Sequence, residues 1–136
     1  MPAFHYAFKI KDIQSTRDFY VDILGCKEGR STEQWIDFDF FGHQLSAHIS
    51  TNIPDLDYCG LVDGVSVPIP HFGCLLNEEQ FKTVEEKLRA ANVNFIVAPQ
   101  VRYEGKPSQQ LSMFVLDFSN NALEFKAFKD EGEVFV

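Results

Sequence analysis

Four side chains in this sequence can each bind a divalent ion or pass a proton: His5, His48, His71 and Glu124. Imidazole and carboxylate together suit iron, manganese, nickel or zinc, and imidazole also titrates near neutrality. Their separations match no local metal motif, so only tertiary structure can gather them. The remaining histidine, His43, falls beside a turn and reads as surface. Two further groups could serve a pocket. Trp35, Asp37 and Asp39 share one face of a strand, either a pocket wall or a solvated face. Arg102, Tyr103, Glu104, Gln109 and Gln110 fall in a polar stretch that reads as a lid or as an ordinary surface loop.

The elements that must position these residues follow from hydrophobic periodicity. Residues 3–10 alternate as a strand, with Phe4, Tyr6, Phe8 and Ile10 on one face and Ala3, His5 and Ala7 on the other. Ser15 is an N-cap, Phe19, Ile23 and Leu24 form a helical stripe, and Gly25 stops the helix. Residues 33–40 and 43–50 form a hairpin about Phe41-Gly42. Residues 51–70, with Pro54, Pro68 and Pro70, read as a long loop. The order then repeats. Residues 71–76 form a strand, and Asn77 caps a helix from 78 to about 91 with Phe81, Val84 and Leu88 on its buried stripe. Strands follow at 94–97, 111–117 and 122–128, with a polar loop over 98–110 and an acidic tail after Asp130.

Each half therefore reads strand, helix, three strands. The fold class expected is α+β, built from two βαβββ modules. In each half the first and last strands put a metal-competent group on the face away from the apolar one: His5 and His48, then His71 and Glu124. A small residue, Ala7 or Gly73, stands two positions after the first histidine of each half.

Composition narrows the function class. The chain has 136 residues, a net charge of −8 and 14 Phe, which fits one compact domain with an aromatic core. The negative charge argues against nucleic acid or an anionic membrane surface as partner. No apolar stretch approaches the roughly 20 residues that cross a bilayer, and no basic segment precedes an apolar run at the start. Three cysteines without a CxxC fit a reducing cytoplasm, with Cys74 as a buried thiol.

The segment FHYAFKIKDIQSTRDFYVDILG resembles the opening of the vicinal oxygen chelate superfamily: glyoxalase I, extradiol dioxygenases, and fosfomycin and bleomycin resistance proteins. HisPheGly (71–73) resembles the start of its second module. AspPheSerAsnAsnAlaLeuGluPhe (117–125) resembles its closing stretch, with Phe118 for the usual Pro and Asn120 for the usual Gly. The resemblance implies one glyoxalase-like domain over residues 1–136, with cupped sheets from modules at about 1–52 and 70–130 joined by a loop. It implies a divalent ion (Fe, Mn, Ni or Zn) held by His5, His71 and Glu124, with His48 at an optional fourth ligand position that the family fills with Glu or Gln. Such an ion acts as a Lewis acid on a small-molecule substrate with two adjacent oxygens. Glu124 is then the candidate base, and His48 is either a ligand or an acid/base. The activity implied is a glyoxalase-like lyase or isomerase, or an extradiol dioxygenase. The alternative is a metal-free protein that binds a small molecule or antibiotic, as bleomycin resistance proteins do. A homodimer is expected, because polar concave sheets of this size leave edges and related proteins often complete the cup by pairing.

Overall fold

The computed structural model describes residues 2–135; Met1 and Val136, the ends of the expected 1–136 span, lie outside the described residues. The chain forms two compact units: Met1–Asp55 with Asp117–Asn121, and Leu56–Leu116 with Ala122–Val136. Both expected βαβββ modules are present. The connecting segment belongs to the second unit and the closing turn to the first.

The first unit runs β1 (His5–Ile10), α1 (Ile13–Arg17), a π-helical turn (Asp18–Ile23), β2 (Lys27–Ser31), β3 (Trp35–Phe40) and β4 (His43–Ile49). Its sheet has the order β1-β4-β3-β2, with β1 parallel to β4 and the other neighbours antiparallel. Phe8, Ile10, Phe38, Phe40 and Leu45 are buried together with Phe19 and Tyr20 from the helical segment. Tyr20 stacks on Phe38 at 5.2 Å between ring centroids.

One local expectation changes here. The helix is capped by Asp12, whose Oδ1 accepts from the Ser15 N–H at 2.7 Å, and Ser15 lies inside it. A carboxylate at the N-terminus also meets the helix dipole, which favours Asp over Ser at that end. The Ser15 N–H also holds the Asp12 carboxyl below its usual range. Gly25, with φ 79°, ends the segment in the left-handed conformation that the sequence suggests.

The second unit opens with a hairpin of β5 (Gly60–Val62) and β6 (Val65–Val67) inside the stretch expected to be loop. Its turn, Asp63-Gly64, has φ 49° and 76°. Those signs belong to the tight turns that match strand twist. Then come β7 (Phe72–Leu76), α2 (Glu78–Ala90), β8 (Phe95–Arg102), β9 (Gln110–Leu116) and β10 (Ala122–Phe128). The sheet order is β7-β10-β9-β8, the same arrangement as in the first unit. Asn77 and Gln80 form a reciprocal capping box, and Phe81, Val84 and Leu88 are buried as the periodicity requires. Strand β8 runs through Pro99 to Arg102, longer than the expected 94–97. It tolerates the proline because it is an edge strand, with register shifts between Phe95 and Gln100. Cys74 is half-buried, and burial raises its thiol pKa.

The closing turn is held by Asp117. Its Oδ1 accepts from the Ser119 and Asn121 N–H groups, and its Oδ2 from Tyr20 and the Asn121 side chain. Asn120 takes φ 64°, so it fills the glycine place of the motif with a left-handed residue. Phe118, in the proline place, packs edge-on to Phe19.

Candidate functional site

In the second unit, β7 and β10 run parallel with Gly73 opposite Glu124. His71 directly precedes β7, so its ring comes beside the Glu124 carboxylate, with Nε2 3.3 Å from Oε1. Both groups are braced from behind. The Nδ1–H of His71 donates to the Pro68 carbonyl at 2.6 Å, which turns Nε2 toward Glu124. Ser112, fully buried on β9, donates to Glu124 Oε2 at 2.6 Å. The His71 ring meets Phe114 edge-on at 5.0 Å, and Lys126 Nζ lies 3.8 Å from Glu124 Oε1. These residues line a cavity of about 450 Å³ together with Arg102.

The charges answer to this geometry. Burial alone would push the Glu124 carboxyl upward. The bonds from His71 and Ser112 and the nearby Lys126 outweigh that, so its pKa lies below the usual value. His71 is raised, chiefly by its bond to Glu124. Glu124 is therefore ionised at neutral pH, and a cation between Nε2 and Oε1 is favoured.

The pair fits a divalent ion. Adjacent ligand atoms around an ion with bonds of about 2.1 Å lie roughly 3.0 Å apart in an octahedral site and 3.4 Å apart in a tetrahedral one. The observed 3.3 Å lies between those values. The carbonyl behind His71 and the hydroxyl behind Glu124 are the outer partners that ligating imidazoles and carboxylates require. Among the described residues, no group of three His, Cys, Asp or Glu side chains is gathered around one point.

His5 stands in the first unit, exposed, with Nδ1 2.8 Å from Gln44 Oε1. Gln44 reaches on to Asp37 at 3.4 Å, and Ser46 donates to the same carboxylate at 2.7 Å. With Nδ1–H donating to Gln44, the lone pair of the His5 ring is on Nε2. Asp37 and Asp39 line a concavity of about 350 Å³ with Gln44 and Arg30, so these two acids do form a wall; Trp35 is not part of it. Asp37 is 7 % exposed and accepts from the Ser46 hydroxyl.

His48 departs most from the expectation. The register sets His5 opposite Gln44 and Lys9 opposite His48. Positions 44, 46 and 48 share a face, as the alternation requires. Yet four residues along a strand are about 13 Å. Imidazoles standing off one sheet at that spacing do not share an ion. The residue matching Glu124 in the first unit is Ser46, opposite Ala7, as Glu124 is opposite Gly73. His48 is instead exposed beside Trp35, 6.4 Å between ring centroids.

In the stretch expected as a lid, Arg102 ends β8 and is 2 % exposed, so it belongs to the cavity wall. Gln110 is buried at the start of β9. Ser112, which bonds Glu124, is absent from the residues that the sequence singles out. Its signal is faint: a small hydroxyl in the otherwise apolar run of β9.

Paired βαβββ sheets with a histidine before one first strand and a carboxylate on the neighbouring last strand define the vicinal oxygen chelate architecture. A solved glyoxalase/bleomycin resistance protein/dioxygenase from Alicyclobacillus acidocaldarius is 31 % identical over 98 % of this chain and 96 % of that one, with a TM-score of 0.84. The chain belongs to this glyoxalase/bleomycin resistance protein/dioxygenase family. The fosfomycin resistance protein FosX from Listeria monocytogenes shares the fold at 18 % identity and a TM-score of 0.71, over 98 % of this chain and 97 % of that one. So does a glyoxalase family protein from Enterococcus faecalis, at 18 % identity and 0.68, over 92 % and 96 %. No family model and no curated protein matches the chain. No helix among the described residues is long and apolar enough to cross a membrane.

Proposed function

We propose that the chain is a divalent-metal-dependent enzyme acting on a small molecule with two adjacent oxygens. The observation that carries this reading is the His71–Glu124 pair, at ligand spacing and braced on both far sides. A pocket that only bound organic ligands would have no need of a buried carboxylate held ionised beside an imidazole. The family resemblance implies His5, of the first unit, as a third ligand. His48 is left out of the ligand set. The ion, of the Fe, Mn, Ni or Zn class, would supply Lewis acidity to the substrate oxygens. Ser112 fixes which Glu124 oxygen faces the cavity, and the Pro68 carbonyl fixes the tautomer of His71. Phe114 walls that side with an apolar ring and limits water there. Glu124 is the chain's own candidate to accept a proton from substrate. A homodimer is part of the proposal, and sedimentation at tens of micromolar tests it.

The test is metal analysis of protein purified without a His tag and without added metal, beside His71→Ala. Close to one ion per chain, lost in the variant, is the expected result. Metal absent from both proteins, and not taken up from Mn²⁺ or Zn²⁺, would favour the metal-free binding protein instead.

A further inference from the structure

Strand β8 ends in a buried cation that the metal proposal does not use. Arg102 is 2 % exposed and lines the same cavity as His71, Glu124 and Lys126. Its Nη1 donates to the Val62 carbonyl at 2.9 Å. Its Nε and Nη2 are buried and have no hydrogen-bond partner among the described residues. The only carboxylate lining the cavity among the described residues, Glu124, is engaged with His71, Ser112 and Lys126. The guanidinium carbon lies 5.7 Å from the Phe114 ring centroid, so one contact of the group is aromatic.

A buried guanidinium with two unused donors is costly unless something pairs with it. The identity of the two donors says what that partner is. Nε and Nη2 form one edge of the planar fork, spaced to meet two oxygens of one anion. The same chain shows this grip elsewhere: Arg17 holds Glu28 through Nε to Oε1 at 2.8 Å and Nη2 to Oε2 at 3.2 Å. The cavity charge agrees. Among the described residues Arg102 and Lys126 face one carboxylate, a formal +1 in a chain of −8. We propose that the Nε–Nη2 edge of Arg102 is the binding point for a two-oxygen anionic group of the substrate, a carboxylate or a phosphonate. The substrate would then carry this group apart from the oxygens presented to the ion. This inference takes the cavity as the substrate site of the proposed function, but the grip itself requires no ion.

The test is calorimetric titration of EDTA-treated protein with acetate, methylphosphonate and neutral acetamide. The wild type should bind one of the two anions and not acetamide, and whichever anion binds more tightly names the group. Arg102→Lys keeps the charge but not the fork, and Arg102→Gln keeps neither. Each should weaken anion binding roughly 10–100-fold. The second readout needs no variant: the Arg Nε–H resonances of the wild type should include one that shifts with bound anion. Equal affinity in wild type and Arg102→Lys would overturn the proposal, as would no anion binding and no shifted resonance at tens of millimolar. Because the ion is removed, anion binding with no metal uptake would leave this inference standing and sink the metal-dependent reading. Metal uptake without anion binding would do the reverse.

Discussion

Gly73 is the residue on which the spacing of the site rests, and replacing it with alanine is a severe test. A Cβ built there would land on the Glu124 carbonyl oxygen, 2.6 Å from the carbonyl carbon and 3.1 Å from the nitrogen. These are backbone atoms of β10, so no side chain can rotate aside. The strands must part. Overpacking against fixed atoms costs about 1–3 kcal/mol, and a clash with backbone belongs at the upper end. For 136 residues the unfolding entropy is about 0.29 kcal/mol per kelvin, so 3 kcal/mol lowers Tm by about 10 °C. The displacement also carries His71 away from Glu124, since His71 lies two residues before Gly73. Metal ligands tolerate about 0.2 Å, so affinity for Mn²⁺ should fall at least as far as on loss of a supporting partner, roughly 10–100-fold. Thermal unfolding followed by circular dichroism and calorimetric Mn²⁺ titration measure both effects. A Gly73→Ala protein melting within about 2 °C of wild type with unchanged affinity would refute the reasoning.

Ser112→Ala removes the donor to Glu124 Oε2 and should weaken Mn²⁺ binding roughly 10–100-fold while the fold persists; unchanged binding would mean that the hydroxyl does not orient the carboxylate. Tyr20→Phe deletes a fully buried hydroxyl from Asp117 and should cost about 1–2 kcal/mol, read as a Tm lower by about 3–7 °C. Asp12 is held below its unfolded pKa of 3.8. Its contribution is therefore present above that value and fades as pH falls through the lower folded pKa. The stability gap between wild type and Asp12→Ala, from urea unfolding, should be full at pH 6 and shrink below pH 4; a gap that widens on acidification has the wrong sign.

Periodicity and parity carried much of the fold. Alternation in 3–10 and 122–128 identifies the polar faces that hold His5 and Glu124, and Asn77 as N-cap begins α2 where the structure has it. Parity says which face a residue occupies but not how far along the sheet it lies. That is why His48 reads as sharing a ligand face with His5 and yet stands about 13 Å along the strand in the register. The β5–β6 hairpin had a local signal, Asp63-Gly64 between valines, that three nearby prolines obscured. The extension of β8 through Pro99 depends on its being an edge strand, which only the finished sheet reveals. Ser112 bonds Glu124 and Arg102 lines the same cavity only in the folded sheet, and neither spacing nor charge pattern in the sequence encodes that placement.

The central claim is that His71 and Glu124 jointly hold a divalent ion. Calorimetric titration of Mn²⁺ into EDTA-treated wild type, Glu124→Gln and His48→Ala tests it most directly. Glu124→Gln keeps an oxygen for Ser112 but loses the charge. One site per chain is expected in wild type, with its loss in Glu124→Gln and wild-type affinity in His48→Ala. Wild-type affinity in Glu124→Gln, or loss of the site in His48→Ala, would contradict it.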